Sequence, residues 1–291
     1  MESISQTQES QVRFHLLGSS AGKLVPRPFC RCRVCEVARR DGGRDIRTRT
    51  GMHIYLGGEE IGEPRYAVDL PPDTAHHMIR EGFRLDRLEH MLFTHKDADH
   101  FEPAYLKMRS TILSDREALP SLALYGSETV GEALTANIPI LEGVKASFQE
   151  VIPFKGFRAG ELNVFPLLAN HGPGIVLNYV VQYNGRTVLL GWDTGWWADT
   201  TWDAVAPFQF DAVFMECTSL GPSERDLGTH LTFATLLKMR ARLSELGCIT
   251  DNTPYVTLHI GDNGGLTYAE ACELAEPHGV TVGYDGLWLA V

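Results

Sequence analysis

Short apolar runs separated by polar turns dominate this chain, and long amphipathic stretches are few. Residues 12–17, 52–56 and 65–69 read as strands, followed by a polar helix at 73–82 and a strand from Leu88 to Thr94. A helix is expected after Glu102-Pro103, and the alternation then repeats with a strand at Leu122 to Tyr125, a helix at Glu128 to Ala136 and a strand at Ser147 to Ile152. Glu161 to Leu168 alternates before ending at Asn170-His171. Val176 to Tyr183 and Thr187 to Trp192 flank Asn184-Gly185, a dipeptide suited to the two positive φ angles of a type I′ hairpin turn. Phe210 to Cys217 and Tyr255 to Ile260 read as strands, Leu231 to Leu246 and Tyr268 to Leu274 as helices, and Val280–Tyr284 and Leu287–Val291 as closing strands. Hairpins interspersed with helices in two successive halves, dividing near 150 to 160 with no linker, predict two sheets face to face with helices outside. The expected class is α+β, a four-layer αββα sandwich, as a single domain over 1–291.

The composition of the 291 residues, 44% hydrophobic and 22% charged, is that of a globular protein. A net charge of -11, from 26 basic and 37 acidic residues, argues against long nucleic acids and anionic membranes as partners. No apolar run approaches the ~20 residues of a bilayer span, and Met1 to Gln11 is polar, so the expected location is cytoplasmic. Cys30, Cys32 and Cys35 fall within six residues in a long Arg-rich loop at about 26 to 50, while Cys217, Cys248 and Cys272 are scattered and read as small buried residues. Without a secretory signal, Cys-x-Cys-x-x-Cys reads as three thiolates converging on a structural zinc, with one tetrahedral position left open. A bound metal would also order so long a loop.

The strongest chemical signal is Thr94-His95-Lys96-Asp97-Ala98-Asp99-His100, which places His95, Asp97, Asp99 and His100 directly after an apolar strand. Imidazoles and carboxylates at that density point to one or two cations. His171, Asp193 and His259 sit at the ends of other expected strands and can join them only if those strands end at one edge. Trp192, Trp196 and Trp197 line a cleft or fill the sandwich edge, and His53 and His76-His77 read as a solvated face.

The order His-x-Asp-x-Asp-His, then His171, Asp193 after a hairpin, and His259 resembles the metallo-β-lactamase fold superfamily over nearly the whole chain. Within it, Leu17-Gly18-Ser19, the Cys triplet, Arg47-x-Arg49, Asp69 in Ala-Val-Asp-Leu-Pro-Pro-Asp, and Gly228-Thr229-His230 are similar to the phosphodiesterase of the carbon-phosphorus lyase pathway. The pyrroloquinoline quinone biosynthesis protein B shares the triplet. The resemblance implies His95, Asp97 and His171 on a first metal, Asp99, His100 and His259 on a second, and Asp193 bridging them. It implies Asp69 as a residue that orients a ligand, and His230 with Asp99 as catalytic residues, His230 facing the leaving group or phosphate. Asp262 stands where relatives place the fourth zinc ligand, a histidine, with His259 its rival. Asp97 replaces a usual histidine and shifts preference from zinc toward manganese or iron. The implied function is hydrolysis of a small phosphodiester, cyclic phosphates included, by a homodimer. The alternatives are hydrolysis of lactones, thioesters or β-lactams, an iron-dependent oxidoreductase, and a non-catalytic metal-binding module.

Overall fold

The computed structural model describes residues 11–112, 116–222 and 227–291; the polar stretch 1–10 lies outside them. The first half contributes β1 (Val12–Gly18), β2 (Gly51–Leu56), β3 (Tyr66–Val68), β4 (His90–Leu92), β5 (Leu122–Gly126) and β6 (Ala146–Glu150), side by side in that order. The second contributes β7 (Phe157–Ala159), β8 (Leu162–Leu168), β9 (Leu177–Tyr183), β10 (Arg186–Gly191), β11 (Ala212–Glu216), β12 (Tyr255–Leu258) and β13 (Thr281–Val282) to another sheet, again in chain order. The division falls between Glu150 and Phe157. A final strand, β14 (Leu287–Ala290), returns to the first sheet and pairs antiparallel with β1.

Alternation along the strands explains the layers. Tyr179, Val181, Val188, Leu190 and Phe214 point into a core shared with Phe14, Met52, Ile54 and Val68 of the facing sheet. Their neighbours Val180, Leu189, Val213 and Met215 point the other way. That outer face is covered by α5 (Asp199–Val205), α6 (Phe233–Glu245) and α7 (Tyr268–Ala275), whose numbering follows α1 (Arg33–Asp41), α2 (Thr74–Glu81), α3 (Ala104–Lys107) and α4 (Glu128–Asn137). Leu106 of α3 and Val130 and Leu134 of α4 cover Met91, Phe93 and Leu124 on the outside of the first sheet. With two apolar faces on each sheet, four layers result.

Asn184 and Gly185 take φ of 45° and 81°, the turn geometry expected of that dipeptide. Other elements depart from expectation. The Cys-rich loop contains α1, which buries Val34, Cys35 and Ala38, and α5 and the short β7 were not expected. The helix expected from Leu231 begins two residues later, with Thr232 as its cap through a capping box with Thr235. His53 and His77 are buried, against the solvated reading, whereas His76 is exposed. Trp192 and Trp197 are core residues, Trp197 donating to Asn178 Oδ1, and Trp196 is exposed. Cys217 and Cys248 are buried and Cys272 only partly so.

Strand direction matters most for the site. Because β8 and β10 are both antiparallel to β9, and β10, β11 and β12 are parallel, the carboxyl ends of β8, β10, β11 and β12 share one edge. The parallel β3 and β4 bring their ends to the same place, where Leu177 N–H donates to the Thr94 carbonyl and Tyr179 Oη–H to the Phe93 carbonyl.

Candidate metal centre

Each predicted donor follows one of those strand ends. His95, Asp97, Asp99 and His100 come after β4, His171 after β8, Asp193 after β10 and His259 after β12. They form two overlapping groups: Asp99, His100, Asp193 and His259 in one, His95, His171 and Asp193 in the other, each with its donor atoms within 4.8 Å of one another. Asp193 belongs to both. Its Oδ1 lies 3.0 Å from His259 Nε2 and 3.3 Å from His100 Nε2, and its Oδ2 3.8 Å from both His95 Nε2 and His171 Nε2. Asp99 Oδ2 approaches His100 Nε2 at 3.2 Å, and Asp97 Oδ2 approaches His171 and His95 Nε2 at 3.5 and 3.7 Å. The loop carrying Asp193 is held because Gly195 packs onto the Gly228 carbonyl, which an added Cβ would overlap.

Hydrogen bonds behind the rings fix which nitrogen faces the centre. His100 Nδ1 donates to Asp69 Oδ2 at 2.8 Å. The Thr94 hydroxyl also donates to Asp69 Oδ2, leaving its lone pair to accept from His95 Nδ1 at 2.9 Å. His171 Nδ1 donates to the Thr229 carbonyl at 3.0 Å. On the other side, the Thr218 hydroxyl donates to Glu216 Oε2 and accepts from His259 Nδ1. All four Nε2 lone pairs therefore point inward at carboxylate oxygens, acceptor against acceptor. His95, His100 and His259 Nε2 and Asp193 Oδ1 are buried without a hydrogen-bond donor. Such an arrangement is stable only with positive charge between the groups. The same demand appears in His100: burial opposes its charged form, but Asp193, Asp69 and Asp99 push its pKa well above the usual value. Burial likewise opposes ionisation of Asp193, yet His259, His100 and His95 hold its pKa well below normal. Nitrogen and oxygen donors with anchored tautomers fit divalent cations. Asp69 and His259 adopt left-handed φ of 61° and 55°, the local strain that aims Asp69 at Thr94 and His100 and His259 at Asp193.

Glu216, read from sequence only as part of an apolar strand, is fully buried and sits beneath the site. Its Oε1 accepts from His230 Nδ1 at 2.6 Å and from Thr194 N–H at 3.0 Å; its Oε2 accepts from the Thr218 N–H and hydroxyl, both at 2.9 Å. Burial works against a charged His230, but the Glu216 carboxylate outweighs it and pushes the ring up to about 9. His230 stacks on His259 and meets the edge of His171, so its Nε2 side borders the same cavity. That cavity, about 310 Å³, is also lined by Lys23, Gly261 and Asn263. A larger cleft of about 890 Å³ lies by Gly185 and Phe208 at the amino ends of the strands, away from these donors.

The Cys triplet meets Asp262. Its Oδ2 is 3.9 Å from the Sγ atoms of Cys30, Cys32 and Cys35 alike, so one carboxylate oxygen and three sulfurs surround a common point. His259 faces the other cluster. The arrangement suits tetrahedral zinc, and Arg27, 3.2 Å from Asp262, borders it.

A model of the beta-lactamase superfamily domain matches residues 68–260. A coenzyme PQQ synthesis protein B from Methylobacterium radiotolerans is 29% identical over 133 residues, 43% of this chain and 40% of the relative. The matched part thus spans less than half of that protein. A crystal structure of a diphosphatase from the PhnP family superposes with a TM-score of 0.76 at 18% identity, covering 97% of both chains. Zinc-bound PqqB from Methylobacterium extorquens superposes with a TM-score of 0.72 at 18% identity, covering 95% of this chain and 99% of the other. At these identities the structural likeness establishes the fold.

Proposed function

This chain belongs to the beta-lactamase superfamily, and from that membership and the geometry of its donor cluster we propose that it is a metal-dependent hydrolase of small phosphodiesters. The observation that carries the proposal is the set of inward Nε2 lone pairs around Asp193, anchored from behind and lacking donors. His95, Asp97 and His171 would hold one divalent cation and Asp99, His100 and His259 another, with one Asp193 oxygen turned to each. Bound there, such cations supply an activated water near neutral pH and neutralise phosphoryl oxygens under attack. The chain's own residues do the rest. Glu216 fixes His230 with one proton at Nδ1, and the charged ring carries the second at Nε2 on the cavity side, placed to protonate a leaving alkoxide. Asp69 and the Thr94 hydroxyl hold His100 and His95 in the orientation the centre requires. The small cavity and net charge of -11 favour a compact substrate over a polynucleotide. The naming of one structural neighbour as a diphosphatase supports phosphoryl chemistry. A homodimer is the assembly proposed with this reading.

The likeness to coenzyme PQQ synthesis protein B, together with the carboxylate Asp97 at the first site, favours an iron-dependent oxidoreductase as the second reading. Turnover of bis-p-nitrophenyl phosphate and cyclic phosphates with added Mn²⁺, Zn²⁺, Ni²⁺ or Fe²⁺ separates the two. The hydrolase reading expects metal-stimulated cleavage that His171→Ala abolishes without loss of fold. One iron per chain, oxygen uptake and intact diesters would sink it.

A further inference from the structure

The two halves of the cluster differ in construction. Around Asp99, the imidazoles of His100 and His259 have side chains 0% and 2% exposed, and Asp99 itself is 19% exposed. Their anchors are strong: His100 donates to the Asp69 carboxylate, and His259 to a hydroxyl that is itself bound to the Glu216 carboxylate. Asp99 packs against Gly22, where an added Cβ would lie 2.9 Å from its Oδ2. In the other half His95 is as closed, 3% exposed and donating to the Thr94 hydroxyl that is itself bound to Asp69, but the remaining two ligands open to solvent. His171 is 10% and Asp97 57% exposed, and His171 leans on a neutral backbone carbonyl. Among the described residues neither carboxylate has a hydrogen-bonded anchor of its own; the difference is enclosure, Asp99 lying between Gly22 and the rings of His100 and His259 while Asp97 stands in solvent beside His95 and His171.

Ligand basicity and rigidity follow from what stands behind each ligand, and loss of one such partner typically weakens metal binding by about 10- to 100-fold. A carboxylate in place of an imidazole also exchanges a preference for zinc for an oxygen's preference for harder cations. We infer that the centre is asymmetric: the Asp99, His100, Asp193 and His259 half retains its cation, while the His95, Asp97 and His171 half exchanges a harder divalent cation such as Mn²⁺. The inference rests on the reading of this cluster as a metal centre.

The test is calorimetric titration of the full chain, its cysteine-bound zinc retained, with Mn²⁺ and with Zn²⁺, and metal counting by plasma mass spectrometry after gel filtration. One equivalent should bind tightly and survive filtration, and a second should bind about 10- to 100-fold more weakly and be lost. Asp97→Ala, at an exposed position, should remove the weak equivalent alone, with an unchanged melting temperature. Asp97→His should bring the two Zn²⁺ affinities together and lower the preference for Mn²⁺. Two equal affinities in the native chain, no second equivalent at all, or loss of the tight equivalent in Asp97→Ala would each overturn the inference. Turnover plays no part in these readouts. Unequal binding without diester cleavage refutes the proposed reaction alone, and cleavage with equal binding refutes the asymmetry alone.

Discussion

Replacing Glu216 by glutamine tests the network beneath the site, since it keeps the shape and removes one oxygen. Four donors converge on this buried carboxylate, two on each oxygen. Whichever way the amide turns, its NH₂ meets either the Thr218 pair or the Thr194 and His230 pair, donor against donor. Two hydrogen bonds to a charged acceptor are lost, at about 1.5–3 kcal/mol each, so roughly 3–6 kcal/mol. Rotation of the Thr218 hydroxyl or a tautomer change at His230 recovers part of this, which places the expected cost near 3 kcal/mol. Against a total stability of about 5–15 kcal/mol, a shift of that size is readily seen in a urea denaturation midpoint. The catalytic effect is separate. Without the Glu216 carboxylate the main opposition to burial at His230 is gone and only Asp193 and Asp99 still favour the charged ring, so if His230 is the proposed general acid, kcat should fall by about 10²–10⁴ on diesters with alkoxide leaving groups. His230→Gln should match that loss of turnover with a smaller fall in midpoint, because Glu216 loses one of its four donors and keeps the three from Thr194 and Thr218. A Glu216→Gln chain with native midpoint and turnover within a few-fold of native would refute the reasoning.

The remaining expectations concern stability. If Cys30, Cys32, Cys35 and Asp262 hold a zinc, Cys32→Ala should lose it and lower the melting temperature by on the order of 10 °C; calorimetry with zinc counting checks it, and an unchanged melting temperature would remove zinc from the account of how residues 26–50 are held. Burial, the largest cause in each case, holds His15 down to about 4, His77 to about 3 and His53 well below its usual value. Unfolded, these rings take up protons near 6.5, so the unfolded state binds more protons below that pH and stability should fall as pH drops from about 6.5 toward 4. His53→Phe, in a pocket with Phe83 and Tyr55, should flatten that fall, and urea midpoints across the range with an identical slope in the variant would contradict it.

The four layers were legible because a strand with two apolar faces reads as a short continuous apolar run, as in Val188, Leu189 and Leu190, which face alternate cores. The Asn184-Gly185 turn fixed its own hairpin, and the density of donors after β4 marked the cluster. What escaped is instructive. In α1, Val34, Cys35 and Ala38 carry a helical spacing, but the surrounding arginines and the closely spaced cysteines made the segment read as loop. In α5, Thr200, Thr201 and Trp202 are poor helix formers, and it is burial of Thr201, Trp202 and Val205 against the sheet that decides. Glu216 offered the clearest unused signal: a carboxylate inside an otherwise apolar strand must find donors, and its four lie on residues 194, 218 and 230, which no local pattern links. His53 and His77 were misread for the opposite reason, their polarity being taken as exposure.

His259 and Asp262 stand three positions apart on one tight stretch after β12, the former aimed at Asp193 and the latter at three sulfurs. Ile260 N–H is tied to the Ser19 carbonyl and Gly261 N–H to that of Thr218, so the stretch behaves as a stiff lever with a donor at each end. If both clusters hold ions as proposed, its inheritance is joint: a substitution tolerated at one end must also be tolerated at the other.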